Sequence, residues 1–128
     1  MPVYRNPPGI APPASRYSHT VTHGAGRRML IAGQVGMLPD GRMADGLEAQ
    51  MRRAMANLLA CLGDGGFAPS DLVRLTAYCV PRGEVARFRA IREEMLEGHA
   101  PASTWLEVAA LASPDWLFEV DGEAVRED

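Results

Sequence analysis

The sequence predicts an α+β fold: a mixed β-sheet with two helices packed on one face. Three observations predict it. Two segments carry apolar residues at helical spacing, and each stops at glycine. The segments around them are short and rich in β-forming residues. Their order is strands, helix, strand, helix, two strands, which sets a helix-linked strand pair beside hairpin-linked strands.

The chain has 128 residues, 47% hydrophobic and 23% charged, the size and composition of one globular domain over residues 1–128. Such a domain buries a core without disulfides or a structural metal. Residues 1–15 hold five of the ten prolines and read as an extended arm with a short strand at Val3-Tyr4-Arg5. "RYSHTVTHGAGRRMLIAGQVGM" reads as two strands, Tyr17 to Thr22 and Arg28 to Ala32, with "HGAG" turning between them. Gly33 and Gly36 interrupt the pattern, as glycine does at a bulge or where another backbone or a ligand comes close. "LPDGR" is a turn.

Asp45, three residues before Glu48, predicts a capping box. Leu47, Met51, Ala54, Met55, Leu58, Leu59 and Leu62 then form a core stripe, with Arg52, Arg53 and Asn57 opposite, and "GDGG" at 63–66 ends the helix. Val73 to Val80 is a strand. The second helix runs from Glu84 to Glu97, with Val85, Phe88, Ile91, Met95 and Leu96 inward and Arg87, Arg89, Arg92, Glu93 and Glu94 on its solvated side; Gly98 closes it. Thr104 to Leu111 and Trp116 to Val125 are the last strands, joined through "ASPD".

Several function classes fall away. A net charge of −3 is not the basic excess of a nucleic-acid-binding surface. Cys61 and Cys79 form no CxxC pair and read as reduced core residues. No apolar run approaches the ~20 residues of a membrane span, and the proline-rich start has no signal-peptide core, so a cytoplasmic protein is expected. His19 and His23 stand four apart on or beside a strand, roughly 13 Å, too far for one metal ion, and His99 is in a loop; no metal site is expected. "HGAG" and "GDGG" lack the Lys-Ser/Thr of a phosphate loop. There is no GxSxG elbow, and Ser103 has no evident base beside it.

Alternate strand residues share a face. Thr104, Leu106, Val108 and Ala110 oppose Ser103, Trp105, Glu107, Ala109 and Leu111. Trp116, Phe118 and Val120 oppose Leu117, Glu119 and Asp121. Neither set has the composition of a water-washed surface, and two helices cover only one face. A second copy of the chain is the natural cover, so a homo-oligomer with sheets facing a shared interior is expected. Glu107 and Glu119 would lie at that seam, where carboxylates are costly unless paired. They form either a structural ion pair or backbone cap across the interface, or a ligand pocket between subunits.

The stretches "YSHTV", "LIAGQVGMLPDG", "QMRRAMANLLACLGDGGFAPSDLVRLTAYCV" and "PASTWLEVAALASPDWLFEVDGEAV" cover nearly the whole chain. In them the sequence resembles the Rid/YjgF family, the reactive intermediate deaminases, also called L-PSP endoribonucleases. The resemblance implies a chorismate-mutase-like fold and a homotrimer whose sheets form a central barrel, with three ligand clefts between subunits. Deaminating members hydrolyse reactive enamines and imines to 2-keto acids and ammonia, without metal or cofactor.

Carried over residue by residue, the resemblance puts the pocket tyrosine on Tyr17, the cleft-lining glycine on Gly33 and the water-positioning carboxylate on Glu119. Deaminating members read Pro-Ala-Arg where this chain reads Pro-Ala-Ser, so Ser103 stands in place of the arginine that clamps the substrate carboxylate. Trp105 replaces a small or thiol side chain, and Phe88 an asparagine. Thr104 completes the binding set. A serine hydroxyl supplies neither the charge nor the fork of a guanidinium, so the usual 2-imino acid deamination is expected to be weak or absent. Arg28 and Arg74 are the candidates to take the lost arginine's place. The expectation is a homotrimer binding a small metabolite between subunits and, if an enzyme, adding water to a C=N bond. A non-enzymatic binder or regulator using the same cleft is the contrasting class.

Overall fold

The structure, a computed structural model, describes residues 1–127. In chain order it contains β1 (Val3–Arg5), β2 (Thr20–Thr22), β3 (Arg27–Val35), α1 (Leu47–Asp64), β4 (Leu72–Cys79), α2 (Val85–Met95), β5 (Ala102–Glu107) and β6 (Phe118–Arg126). The main sheet has the order β3-β6-β4-β5, and β1 and β2 form a separate antiparallel ribbon. The β4 and β5 strands are parallel, with α2 as the crossover that parallel neighbours require. The other pairs of the main sheet are antiparallel. The expected α+β class and mixed sheet therefore hold.

The expected strand adjacencies differ in two places. β2 pairs with β1 and not with β3. The last two strands are not a hairpin: β5 ends at Glu107, β6 begins at Phe118, and β4 lies between them. The chain after β5 passes over the end of β4, clipped by Val108 N–H donating to the Cys79 carbonyl and Val80 N–H donating to the Leu117 carbonyl, both at 2.9 Å. It then returns between β3 and β4, antiparallel to both.

Alternation sorts the strands. Ile31, Leu75, Ala77, Cys79, Phe118, Val120 and Ala124 point to the helices and meet Met51, Ala54, Met55, Leu58 and Leu62 of α1 and Phe88 and Ile91 of α2 in one buried cluster. Phe88 stacks on Trp105 at 5.5 Å and lies 5.3 Å from Phe118. Cys79 is buried and Cys61 half-buried, both free. Burial, reinforced by Glu84 and Glu107, pushes the Cys79 thiol up to about 11.

The opposite face corrects the sequence reading. Trp105, Phe118 and Val120, which suggested an uncovered apolar surface, all belong to the helix side. The open face instead presents Arg28, Arg74, Thr76, Tyr78, Glu119, Asp121 and Glu123. Two links cross it: Arg28–Glu123 at 2.8 Å, and the Tyr78 hydroxyl donating to Asp121 at 2.8 Å. Its exposed large apolar residues are Leu30 (68%) and Leu106 (44%), far apart on β3 and β5.

The capping box does not form. Gly46, at φ 90°, takes the N-cap position, and no side chain caps the helix. A positive φ is the conformation glycine tolerates and aspartate resists. Glu48 instead pairs with Arg52 one turn on, and Arg52 reaches Glu94 of α2 at 2.7 Å, joining the two helices. Gln50, 3% exposed, had no assigned role in the sequence. It accepts from Leu117 N–H at 2.9 Å and donates to the Ala44 and Asp115 carbonyls at 3.2 and 3.1 Å. One side chain thus fastens the segment that carries the chain into β6.

Candidate functional site

The predicted site residues fall into two groups on opposite faces of the sheet. The first lies on the helix side of the β5 edge. There Ser103 and Trp105 line a pocket of about 150 Å³ with Tyr17, Phe88, Arg89 and Arg92. The proline-rich arm delivers Tyr17. Ser18 donates from its hydroxyl to Ala100 at 2.7 Å and from its backbone to Pro101 at 3.1 Å, while Arg16 donates to the Gly98 carbonyl at 2.7 Å. These bonds dock the arm along the start of β5, where Ser18 and Ala102 make an isolated parallel bridge. Phe88 lines the pocket with its ring but is 1% exposed and chiefly a core residue.

The second group lies on the open face. Gly33 sits in a bulge where the β3–β6 register shifts between Ile31 and Gln34. The Glu119 carboxylate lies directly over it, so that a Cβ on Gly33 would fall 1.8 Å from Glu119 Oε2. The glycine is therefore a close-approach position. Gly33 also borders an open trough of about 540 Å³ with Arg74, Tyr78 and Asp121. The bond to Asp121, together with burial, holds the Tyr78 phenol above its ordinary pKa. Thr104 also faces this way, in a smaller hollow of about 280 Å³ that Ser103, Tyr17 and Arg74 share.

Because Ser103 and Glu119 project from opposite faces, one chain does not bring them together. Glu107 also parts from Glu119. It projects to the helix side with Cys79 and accepts from Gly83 N–H at 3.0 Å, capping the turn before α2 within its own chain.

Arg28, one candidate for the missing cation, is held on the open face by Glu123. Arg74 lines the trough and the hollow but not the Ser103–Trp105 pocket. The cation in that pocket is Arg92, expected from the sequence on the solvated side of α2. It is 4% exposed. Its Nη1 donates to Ser103 Oγ and its Nη2 to Ser15 Oγ, each at 3.0 Å, and its guanidinium carbon lies 5.7 Å from the centre of the Phe88 ring. The buried Nε has no acceptor. Burial, then repulsion from Arg89, lowers its pKa, against weaker support from Glu93 and Tyr17. The signal was present in the sequence: Arg92 stands four residues after Phe88 and seven after Val85, on the inward stripe of the helix. Residue type had outweighed period.

Among the described residues no group of three or more His, Cys, Asp or Glu is placed to hold a metal ion. His19 and His23 bond to the backbone at Ala11 and Gly24, and His99 to Leu72 and the Tyr4 hydroxyl. No helix among these residues is long and apolar enough to cross a membrane.

A family model described as Endoribonuclease L-PSP matches residues 9–126. A RutC family protein of Pyrococcus horikoshii is 28% identical over 117 residues, covering 90% of each chain. A 2-iminobutanoate/2-iminopropanoate deaminase of Salmonella typhimurium is 29% identical over 105 residues, covering 79% of this chain and 81% of its own. Among solved structures, a Rid-family protein of unknown function from Yersinia pestis superposes with a TM-score of 0.89 at 34% identity, over 98% of both chains.

Proposed function

Because the chain belongs to the Endoribonuclease L-PSP family, also called YjgF or Rid, we propose that it is a cytoplasmic homotrimer that binds a small metabolite between subunits. There it adds water to a C=N bond. One observation carries the proposal: the two halves of the predicted site lie on opposite faces of the sheet, Ser103 by the β5 edge and Gly33 with Glu119 toward the β3 edge. A head-to-tail contact that sets the β5 edge of one copy against the β3–β6 side of the next unites them, and repetition of a head-to-tail contact closes a ring.

In this reading Tyr17, Phe88, Ser103 and Trp105 hold the ligand from one subunit, with Thr104 shaping the rim. Gly33 and Glu119 act from the other, with Glu119 positioning the attacking water as a carboxylate base. No metal or cofactor takes part. The Salmonella relative, by its name, deaminates 2-iminobutanoate and 2-iminopropanoate. For this chain such short 2-imino acids are poor substrates, because Ser103 offers no charge where the family's arginine would reach out to the carboxylate.

The test has two parts. Light scattering should give three copies per particle; a monomer at micromolar concentration refutes the shared cleft. Enzymatically generated 2-aminoacrylate should release pyruvate far more slowly than with an arginine-containing relative, while a panel of larger imines should release ammonia in a manner that Glu119→Gln abolishes without unfolding the protein. Saturable binding without turnover of any imine would make the protein a binder or regulator using the same cleft.

A further inference from the structure

Arg92 poses a question that the cleft reading does not answer. A guanidinium is almost never buried without an anionic partner. Among the described residues no carboxylate forms an ion pair with this one, and Glu93 lends only through-space support. Its two hydrogen-bonded neighbours, Ser103 and Ser15, are neutral, so they satisfy donors without balancing charge. Its Nε is buried with no acceptor at all. Arg89, on the same pocket, adds a second positive charge. The space beside these cations is a pocket of about 150 Å³, walled by the stacked rings of Phe88 and Trp105 and edged by Tyr17. An unpaired buried cation, hydroxyl donors and flat apolar walls around one small space are the complement of an organic acid.

We propose that Arg92 is the anion-binding group of this protein, and that the pocket beneath Ser103 takes the carboxylate of a small organic acid with an apolar or aromatic body. The proposal rests on the reading that ligands enter at Ser103, and goes beyond it by naming the cation and the class of ligand. The carboxylate supplies the charge that the two serines do not. Arg92 arrives from α2, so its charge lies close to the β5 backbone and not at the tip of a side chain projecting from position 103.

Calorimetry on the intact protein with benzoate, its neutral isostere benzamide and inorganic phosphate tests this. Benzoate should bind at least tenfold more tightly than benzamide, the scale of a charge-assisted pair at a partly dry site, and phosphate should bind more weakly than benzoate. Arg92→Gln should erase the preference for benzoate. Arg92→Lys, which keeps the charge and loses the fork, should retain part of it and serves if the glutamine variant fails to fold. Equal binding of benzoate and benzamide, no benzoate binding, or unchanged benzoate affinity in folded Arg92→Gln overturns the proposal. So does stronger binding of phosphate. If folded Arg92→Gln loses trimer assembly instead, the counter-ion is a carboxylate of a second copy, and the proposal is again wrong. Benzoate selectivity that depends on Arg92, with no imine hydrolysed, would remove the catalytic reading and leave this one standing. Imine hydrolysis that needs Glu119 but not Arg92 would do the reverse.

Discussion

Gly33 and Gly36 stand three residues apart at the end of β3, and alanine should act on them in opposite ways. A Cβ on Gly33 would fall 1.8 Å from Glu119 Oε2 and 2.8 Å from its Cδ, where ordinary contact begins at 3.4 Å. The obstacle is the tip of a flexible side chain, so the fold yields cheaply: an off-rotamer glutamate costs about 1 kcal/mol. The carboxylate, however, must move by roughly 1.5 Å, and a misplacement of that size at a reacting group costs on the order of 100-fold in rate. A Cβ on Gly36 would fall 2.5 Å from Gln50 Cα, which is helix backbone and cannot swing aside. Forcing α1 off β3 should cost ~1–3 kcal/mol, a fall of roughly 3–15 °C in Tm. The assays are thermal melts and ammonia release from the best imine of the panel. Gly33→Ala should keep its Tm within a few degrees and lose turnover. Gly36→Ala should lose Tm and keep turnover at temperatures where it is folded. A Gly33→Ala protein that is folded and fully active would refute the assignment of a working role to the carboxylate above Gly33.

Three further outcomes follow from the geometry. Gln50→Ala strands one N–H and two carbonyls, at about 1 kcal/mol each; it should destabilise the protein by ~2–4 kcal/mol and open residues 108–117 to proteolysis before global unfolding. Iodoacetamide at neutral pH should label half-buried Cys61 and spare Cys79, whose thiol is raised from 9.0 to about 11. Its folded-state pKa being the higher one, the stability tied to the buried thiol is complete below pH 9 and lost as pH rises through 11, so Cys79→Ala should blunt the alkaline fall in Tm. Tyr78, raised by its bond to Asp121, should ionise later than an ordinary tyrosine in ultraviolet titration. The support it lends is present below about pH 10 and lost above its raised value, and Asp121→Asn should bring its titration earlier.

The elements were largely legible because each is specified by its own residues. The Met51-to-Leu62 stripe, the "LPDGR" turn, where Leu38 N–H bonds to the Arg42 carbonyl at 2.8 Å and Gly41 takes φ 90°, and the apolar runs of β3 and β4 all formed where the local pattern put them. Strand neighbours were not legible in the same way. Nothing within β6 states that it pairs with β3 and β4 and not with β5; that choice is made between segments distant in sequence. The open face was misread for a related reason. Leucine and tryptophan on both parities of β5 suggested two apolar faces, but Trp105 goes to Phe88 while Leu106 is left exposed. The resemblance points to Tyr17, Gly33, Ser103 and Glu119, which the chain alone splits between faces. Arg92 was hidden by its charge: at an inward helical position, arginine was assigned to water on chemical type alone.

The central place of β6 bears on how the chain can come to be folded during synthesis. Until residues 118–126 are available, β3 and β4 have no shared neighbour in the sheet. The β4–α2–β5 unit can collapse on itself early, but α1 and β3 then cover a sheet with a missing middle, its apolar side open. Closure depends on contacts of long sequence separation, which form slowly and leave that surface exposed to other chains in the meantime. A nascent fragment stopping short of Phe118 is therefore expected to be a client of chaperones, and a fragment spanning β6 to be released from them in a single late step.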